Sequence, residues 1–165
     1  SSTSLSAAEQ VCMLAEAKAK DAASRIPYDC LVIGADTIVV RDGVVLGKPK
    51  DRDEAAYMLK SLQGRRHEVL TGVALVDRKL DYLDSSYEIT QVEMMGLNEH
   101  QIEWYLDSGE YADKAGGYGI QGLAAAFIPG INGCYFNVMG LPLNLLYNML
   151  QKYKAHAGHC SSVID

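Results

Sequence analysis

The chain has 165 residues, 48% hydrophobic and 22% charged, and a formal net charge of −6 from 15 basic and 21 acidic residues. That length fits one domain with its own core, and the composition excludes a chain that is mainly disordered. The acidic balance speaks against nucleic acid or an anionic membrane as partner. It opposes nucleotides too, unless local cations or a divalent metal reverse the sign at a site.

The longest apolar run, Leu123 to Pro129, is far shorter than the roughly 20 residues that cross a bilayer. Residues 1–10 are polar and do not read as a signal peptide. Cys12, Cys30, Cys134 and Cys160 are widely spaced, with no Cys-x-x-Cys pair, and predict free thiols in a cytoplasmic protein.

Residues 7–24 predict a helix, with Val11, Leu14, Ala15 and Ala22 as its apolar stripe and Pro27 beyond its end. Residues 31–40 form an apolar run broken only by Asp36 and Thr37, which predicts a central strand buried on both faces. Asp42-Gly43 predicts a hairpin turn into Val44, Val45 and Leu46. Residues 51–63 predict an amphipathic helix, with Asp51 and Glu54 at capping-box spacing and Gly64 as its stop. Strands follow over 67–76 and 82–95, then a short helix capped by Asn98 and ending near Asp107. The glycine-rich stretch 115–122 leads to a predicted strand at 124–128, and 130–140 reads as loop with a short strand at 134–138. A last helix runs over 143–154. Residues 1–154 thus read as one domain and 155–165 as a flexible tail. The mixture of helices, strands and hairpins places the chain in the α/β class, with a mixed central sheet flanked by helices.

Asp36 is the first chemical anomaly, because an unpaired carboxylate is costly to bury in an apolar strand. It is either a solvated residue at a strand kink near Gly34, or an acid, base or metal ligand at the working end of a strand. Thr37 offers a hydroxyl to a polar ligand, or simply fills a strand position. Lys48, in Gly47-Lys48-Pro49, can project a point charge into a cleft, though an isolated lysine is usually a solvated one. The same holds for Lys18 on the first helix. Asp113–Gly122 carries four glycines in seven residues, which lets backbone N–H groups approach an anion or a base closely. It matches neither the Walker loop nor Gly-x-Gly-x-x-Gly, so a structural turn explains it as well. His156, His159 and Cys160 resemble a metal cluster only superficially, lacking the other half of a zinc pattern.

In combination, Gly34-Ala35-Asp36-Thr37, Gly47-Lys48-Pro49, Thr71-Gly72-Val73, Gly109-Glu110, Asp113–Gly122 and Gly140-Leu141-Pro142-Leu143 resemble the Maf family of nucleoside triphosphate pyrophosphatases. Their order and spacing fit across residues 7–150. The resemblance implies a Maf/inosine-triphosphatase-like fold, a homodimer, and metal-dependent cleavage (Mg or Mn) between the α and β phosphates of a nucleoside triphosphate. It implies Asp36 as proton acceptor and metal ligand, Lys18 and Lys48 as catalytic cations, and Lys114 as a further candidate. Thr37 and Gln121 match positions linked to base choice, in the pattern of the branch that takes dTTP and UTP rather than 7-methyl-GTP. Gly116 lies in the glycine stretch expected to pack close to the base or sugar.

One departure stands out. The family's Ser-x-Ser-Pro-Arg-Arg phosphate loop, and a glutamate that follows it, have no counterpart in these residues. Either the sequence is part of a longer chain or the site is incomplete. A catalytically silent module that binds nucleotide or a protein partner, in a role tied to cell division, is therefore the alternative. An unrelated α/β domain with a structural glycine loop is the third reading. The pyrophosphatase reading predicts that Asp36, Lys48, Lys18 and Gln121 line one cleft.

Overall fold

The computed structural model describes residues 4–161, with side chains described as far as residue 158. Helix α1 (Ala7–Arg25) begins where the Glu9 N–H donates to the Ser6 hydroxyl at 3.1 Å. Strand β1 (Leu31–Arg41) turns at Asp42-Gly43, both in the left-handed region, into the short β2 (Val44–Leu46). Helix α2 (Arg52–Leu62) starts at Asp51, whose carboxylate accepts from the Glu54 N–H at 2.8 Å. Strands β3 (Arg66–Asp77) and β4 (Tyr82–Glu93) form a long hairpin. Helix α3 (Glu99–Asp107) opens on a complete capping box between Asn98 and Gln101. Two 3₁₀ turns, Ala115–Gly117 and Leu123–Phe127, precede β5 (Gly130–Asn132), α4 (Tyr135–Met139) and α5 (Leu143–Ser161).

The five strands form one sheet in the order β2-β1-β3-β4-β5. The α/β class stands, but every pairing among the described residues is antiparallel rather than mixed. Helix α2 explains the β1–β3 direction. It returns the chain to the end of the sheet where β1 finished, so Glu68 pairs with Val40 and β3 runs back along β1. The central strand is therefore β3, which is buried continuously from Val69 to Asp77.

The two faces of β3 follow the period of a strand. Ala74 and Val76 pack with Ala15, Ala19 and Ala23 of α1, while Val73 and Leu75 pack with Leu146 and Met149 of α5. The largest core lies where α2 and α3 meet Val39, Val69 and Val92 of the sheet. Helix α1 sits unusually close to the strands. A methyl on Gly34 would lie 2.5 Å from the Ala15 carbonyl oxygen and 2.8 Å from the Ala19 nitrogen, and one on Gly72 would overlap the Val11 carbonyl. Gly34 thus admits the helix backbone and makes no kink, since β1 continues through it.

Three segments differ from expectation. Residues Leu123–Phe127 form a 3₁₀ turn instead of a strand. Its three-residue period puts Ala124 and Phe127 on one buried side, a pattern that a short apolar run does not distinguish from a strand. Residues Tyr135–Met139 form α4 instead of a strand, because buried Asn137 is tied to β3 and β4 by side-chain hydrogen bonds. Helix α5 passes Lys154 and continues to Ser161, so the expected tail is helical over its described part. Tyr82 packs beside His156, with ring centroids 5.0 Å apart. The side chains of His159 and Cys160 lie outside the described residues.

Candidate functional site

A cavity of about 680 Å³ opens at the end of the sheet where β1 meets the glycine-rich loop. That volume lies in the usual range for a small-molecule site, roughly 300–1,000 Å³. Lys18, Asp36, Thr37, Lys48, Lys114 and Gln121 all line it, together with Glu110, Asp113, Tyr118 and Gly140. Six of the seven residues expected from sequence are therefore brought together.

Asp36 reaches the cavity from β1, two positions beyond Gly34 and on the same face. Its side chain is 15% exposed and is ion-paired with Lys18 of α1, whose ammonium also lies 3.5 Å from the Ala35 carbonyl oxygen. The close seating of α1 over Gly34 makes this pair possible, because Ala15 and Ala19 bracket Lys18 on the helix. So Asp36 is a paired carboxylate at a cavity wall, not a residue solvated by a bend. Thr37 points to the other face of the sheet, where its Oγ1 lies 2.8 Å from Thr71 Oγ1.

The glycine-rich loop is braced from three sides. The Gly116 N–H donates to the Gly47 carbonyl at 3.0 Å, which ties the loop to the segment carrying Lys48. The Tyr105 hydroxyl of α3 donates to the Gly117 carbonyl at 3.0 Å. Tyr118 Oη lies 2.5 Å from His67 Nε2 on β3. Burial raises the hydroxyl pKa of both tyrosines, and it lowers that of the His67 imidazole to about 4. All three side chains are therefore neutral struts near neutral pH. At the foot of the loop, Glu110 accepts from the Leu123 N–H at 2.8 Å.

Gly116 is the exception among the expected site residues. It is buried behind the cavity, has φ 73°, and lies so near Val39 that a methyl would approach Val39 Cγ2 to 3.0 Å. Its glycine serves the turn and the packing of the loop, and it is not among the residues that line the cavity. Lys114 is better placed, since its stem passes within 3.4 Å of where a Gly119 methyl would lie.

The cavity reverses the overall charge only in part. Lys18, Lys48 and Lys114 face Asp36, Glu110 and Asp113 across a lining that is nominally neutral, in a chain of net charge −6. Among the described residues, no group of three His, Cys, Asp or Glu is placed to hold a metal by itself. The donor set fits a hard cation bound by one or two carboxylates and completed by ligand oxygens, as Mg²⁺ prefers.

Sequence reasoning gave no role to Thr71, Asn137, Tyr118 or Glu110, although Thr71-Gly72-Val73 and Gly109-Glu110 stand among the motifs of the resemblance. Thr71 and Asn137 are fully buried, and each interrupts an apolar stretch much as Asp36 does. The same polar-in-apolar signal would have found them.

The model of the family described as "Maf-like protein" matches residues 1–153. A protein of Pelotomaculum thermopropionicum named dTTP/UTP pyrophosphatase is 52% identical over 149 residues, which is 90% of this chain and 78% of that relative. Proteins with the same name are 52% identical over 148 residues in Symbiobacterium thermophilum (90% and 75% covered) and 48% identical over 140 residues in Clostridium perfringens (85% and 73%).

Proposed function

Because the chain belongs to the Maf family, we propose that it is a nucleoside triphosphate pyrophosphatase acting on dTTP and UTP. The products are the nucleoside monophosphate and pyrophosphate. The observation that carries this reading is the meeting of Asp36, three lysines and Gln121 in one cavity of an acidic protein.

The mechanism follows from the placement of the groups. Water adds to phosphorus, the bridging P–O bond between the α and β phosphates breaks, and Asp36 takes the proton that the water gives up. Lys18 fixes the carboxylate from α1 and brings positive charge beside it. Lys48 and Lys114 reach the cavity from two other segments and suit the charge of the phosphates. Gln121 offers both a donor and an acceptor, which matches a pyrimidine edge. The relatives' printed name, dTTP/UTP pyrophosphatase, supports that choice of base.

We propose a divalent cation, Mg²⁺ or Mn²⁺, as cofactor. Asp36 and the substrate's own phosphate oxygens would hold it. It would supply the charge neutralisation that a nominally neutral cavity lacks. The proposal extends to a homodimer in the cytoplasm. The exposed Tyr135, Phe136, Met139, Leu143 and Tyr147 of α4 and α5 support an association surface. The free thiols of Cys12, Cys30 and Cys134 suit a reducing compartment.

The test offers dTTP, UTP, CTP, GTP and 7-methyl-GTP to the protein with Mg²⁺ or Mn²⁺ and separates pyrophosphate from orthophosphate. Pyrophosphate from dTTP and UTP is expected. Orthophosphate with a diphosphate product, or turnover of 7-methyl-GTP alone, contradicts the proposal. Nucleotide binding without turnover would instead indicate a silent binding module.

A further inference from the structure

Tyr105 of α3 is the largest side chain that the core encloses completely among the described residues, at 0% exposure, yet its ring ends in a hydroxyl. Phenylalanine would serve the packing alone, because a buried hydroxyl costs free energy unless it is paired. Its partners lie in the glycine-rich loop. The Tyr105 hydroxyl donates to the Gly117 carbonyl at 3.0 Å, and the Gly119 N–H faces the same oxygen. The direction of the first bond is forced, since a carbonyl oxygen cannot donate. No other hydrogen bond reaches the Gly117 carbonyl among the described residues.

The loop needs an external tie. Gly116 and Gly117 are both left-handed, at φ 73° and 84°, and Gly119 and Gly122 follow. Glycine loses more freedom on ordering than any other residue, so such a stretch does not hold one shape by itself. The first arm of the loop is tied by backbone. The Gly116 N–H donates to the Gly47 carbonyl and the Gly117 N–H to the Lys114 carbonyl, both at 3.0 Å. The second arm, residues 118–121, has the local bond from the Gly122 N–H to the Gly119 carbonyl at 3.2 Å. Otherwise two side chains tie it: Tyr118, whose Oη meets His67 of β3, and Tyr105, which holds the backbone on either side of Tyr118. This arm ends at Gln121, which lines the cavity. The anchor is itself firm, because α3 carries a complete capping box and buries Ile102, Tyr105 and Leu106 along one face.

We propose that Tyr105 is a positioning residue for nucleotide binding: its hydroxyl holds the second arm of the glycine-rich loop in the shape that presents Gln121 to the cavity before the nucleotide arrives. This inference rests on the pyrophosphatase reading above and adds to it a residue that does not line the cavity. Without the hydroxyl, the ring still fills the core, but the arm samples other shapes and the nucleotide must order it on binding. Asp36, Lys18 and Lys48 stand on β1, on α1 and ahead of α2, away from this arm. The loss therefore falls on KM rather than on kcat.

The test compares wild type with Tyr105→Phe, which removes one oxygen and keeps the ring, at a temperature where both are folded. KM for dTTP is expected to rise about fivefold to thirtyfold, with kcat within about threefold of wild type. A hydroxyl that only stabilises the fold would lower the melting temperature, or the folded fraction and with it the apparent kcat, and leave KM unchanged. An unchanged KM overturns the inference. Hydrogen exchange gives a second readout that needs no turnover. Without nucleotide, the amides of residues 117–121 should exchange about tenfold faster in Tyr105→Phe than in wild type, while those of β3 exchange alike. Equal exchange in the loop overturns the inference. If Tyr105→Phe does not fold, wild type alone decides. Protection of 117–121 before dTTP is added supports the inference, and free-chain exchange that slows only with dTTP overturns it. Absence of pyrophosphate release from every nucleotide by wild type overturns the pyrophosphatase reading, and the inference falls with it. Normal wild-type turnover with an unmoved KM in the variant overturns the inference alone.

Discussion

Gly34→Ala tests how Lys18 is seated over Asp36. The added methyl would lie 2.5 Å from the Ala15 carbonyl oxygen, 2.8 Å from the Ala19 nitrogen and 2.9 Å from Ala19 Cβ. Two of these are helix backbone atoms, which cannot swing aside as the tip of a side chain can. Restoring an ordinary contact of 3.4 Å requires α1 to retreat by about 1 Å. Overpacking of this kind costs roughly 1–3 kcal/mol. A shift of that size in a site group can also cost about a hundredfold in rate. Ala15 and Ala19 bracket Lys18, so the displaced turn is the one that carries the cation. Urea unfolding is expected to show the stability loss. Pyrophosphate release from dTTP, measured where the variant is fully folded, is expected to show kcat/KM lower by about a hundredfold. Gly130→Ala is the control, because nothing lies within 4 Å of its added methyl. It should stay within about 0.5 kcal/mol of wild type. A Gly34→Ala variant with unchanged stability and rate would refute the claim that the close helix–strand contact sets the site.

Two further outcomes follow from buried groups around the loop. Burial lowers His67 from 6.5 to about 4 in the folded protein, so between those values the unfolded chain binds the extra proton. This contribution is complete above pH 6.5 and is lost as pH falls toward 4, by about 2–3 kcal/mol at pH 4.5. Denaturant midpoints at pH 7 and pH 4.5 should therefore diverge less in His67→Phe than in wild type; an equal divergence refutes it. Gly116→Ala should lose about 1–2 kcal/mol in thermal melts, because φ 73° and the 3.0 Å approach to Val39 both oppose a methyl. A melt unchanged from wild type would contradict the role given to that turn.

Much of the site was legible because its residues break local rules. Asp36 stands in an apolar run, and Lys48 sits beside a proline. Both proved to line the cavity that also holds Lys18 and Gln121. Gly34 carried information of another kind, since its lack of a side chain admits a helix backbone that no local pattern reveals. The roles of Thr71 and Asn137 stayed hidden because their partners are 34 to 68 positions away in sequence. The antiparallel sheet was missed for a related reason. Strand direction depends on where α2 returns the chain, and the run Leu31–Val40 does not encode it. The segments 124–128 and 134–138 failed at the scale where a short apolar stretch suits a strand and a helical turn equally.

Asp36→Asn puts the central claim to the most direct measurement. Asparagine keeps the size and a hydrogen-bonding oxygen for Lys18, but it cannot take a proton from water. The measured quantity is the rate of pyrophosphate release from dTTP at saturating Mg²⁺, for wild type and variant. The account predicts kcat lower by about 10²- to 10⁴-fold, with KM changed only a few-fold. A variant that releases pyrophosphate at the wild-type rate would contradict it.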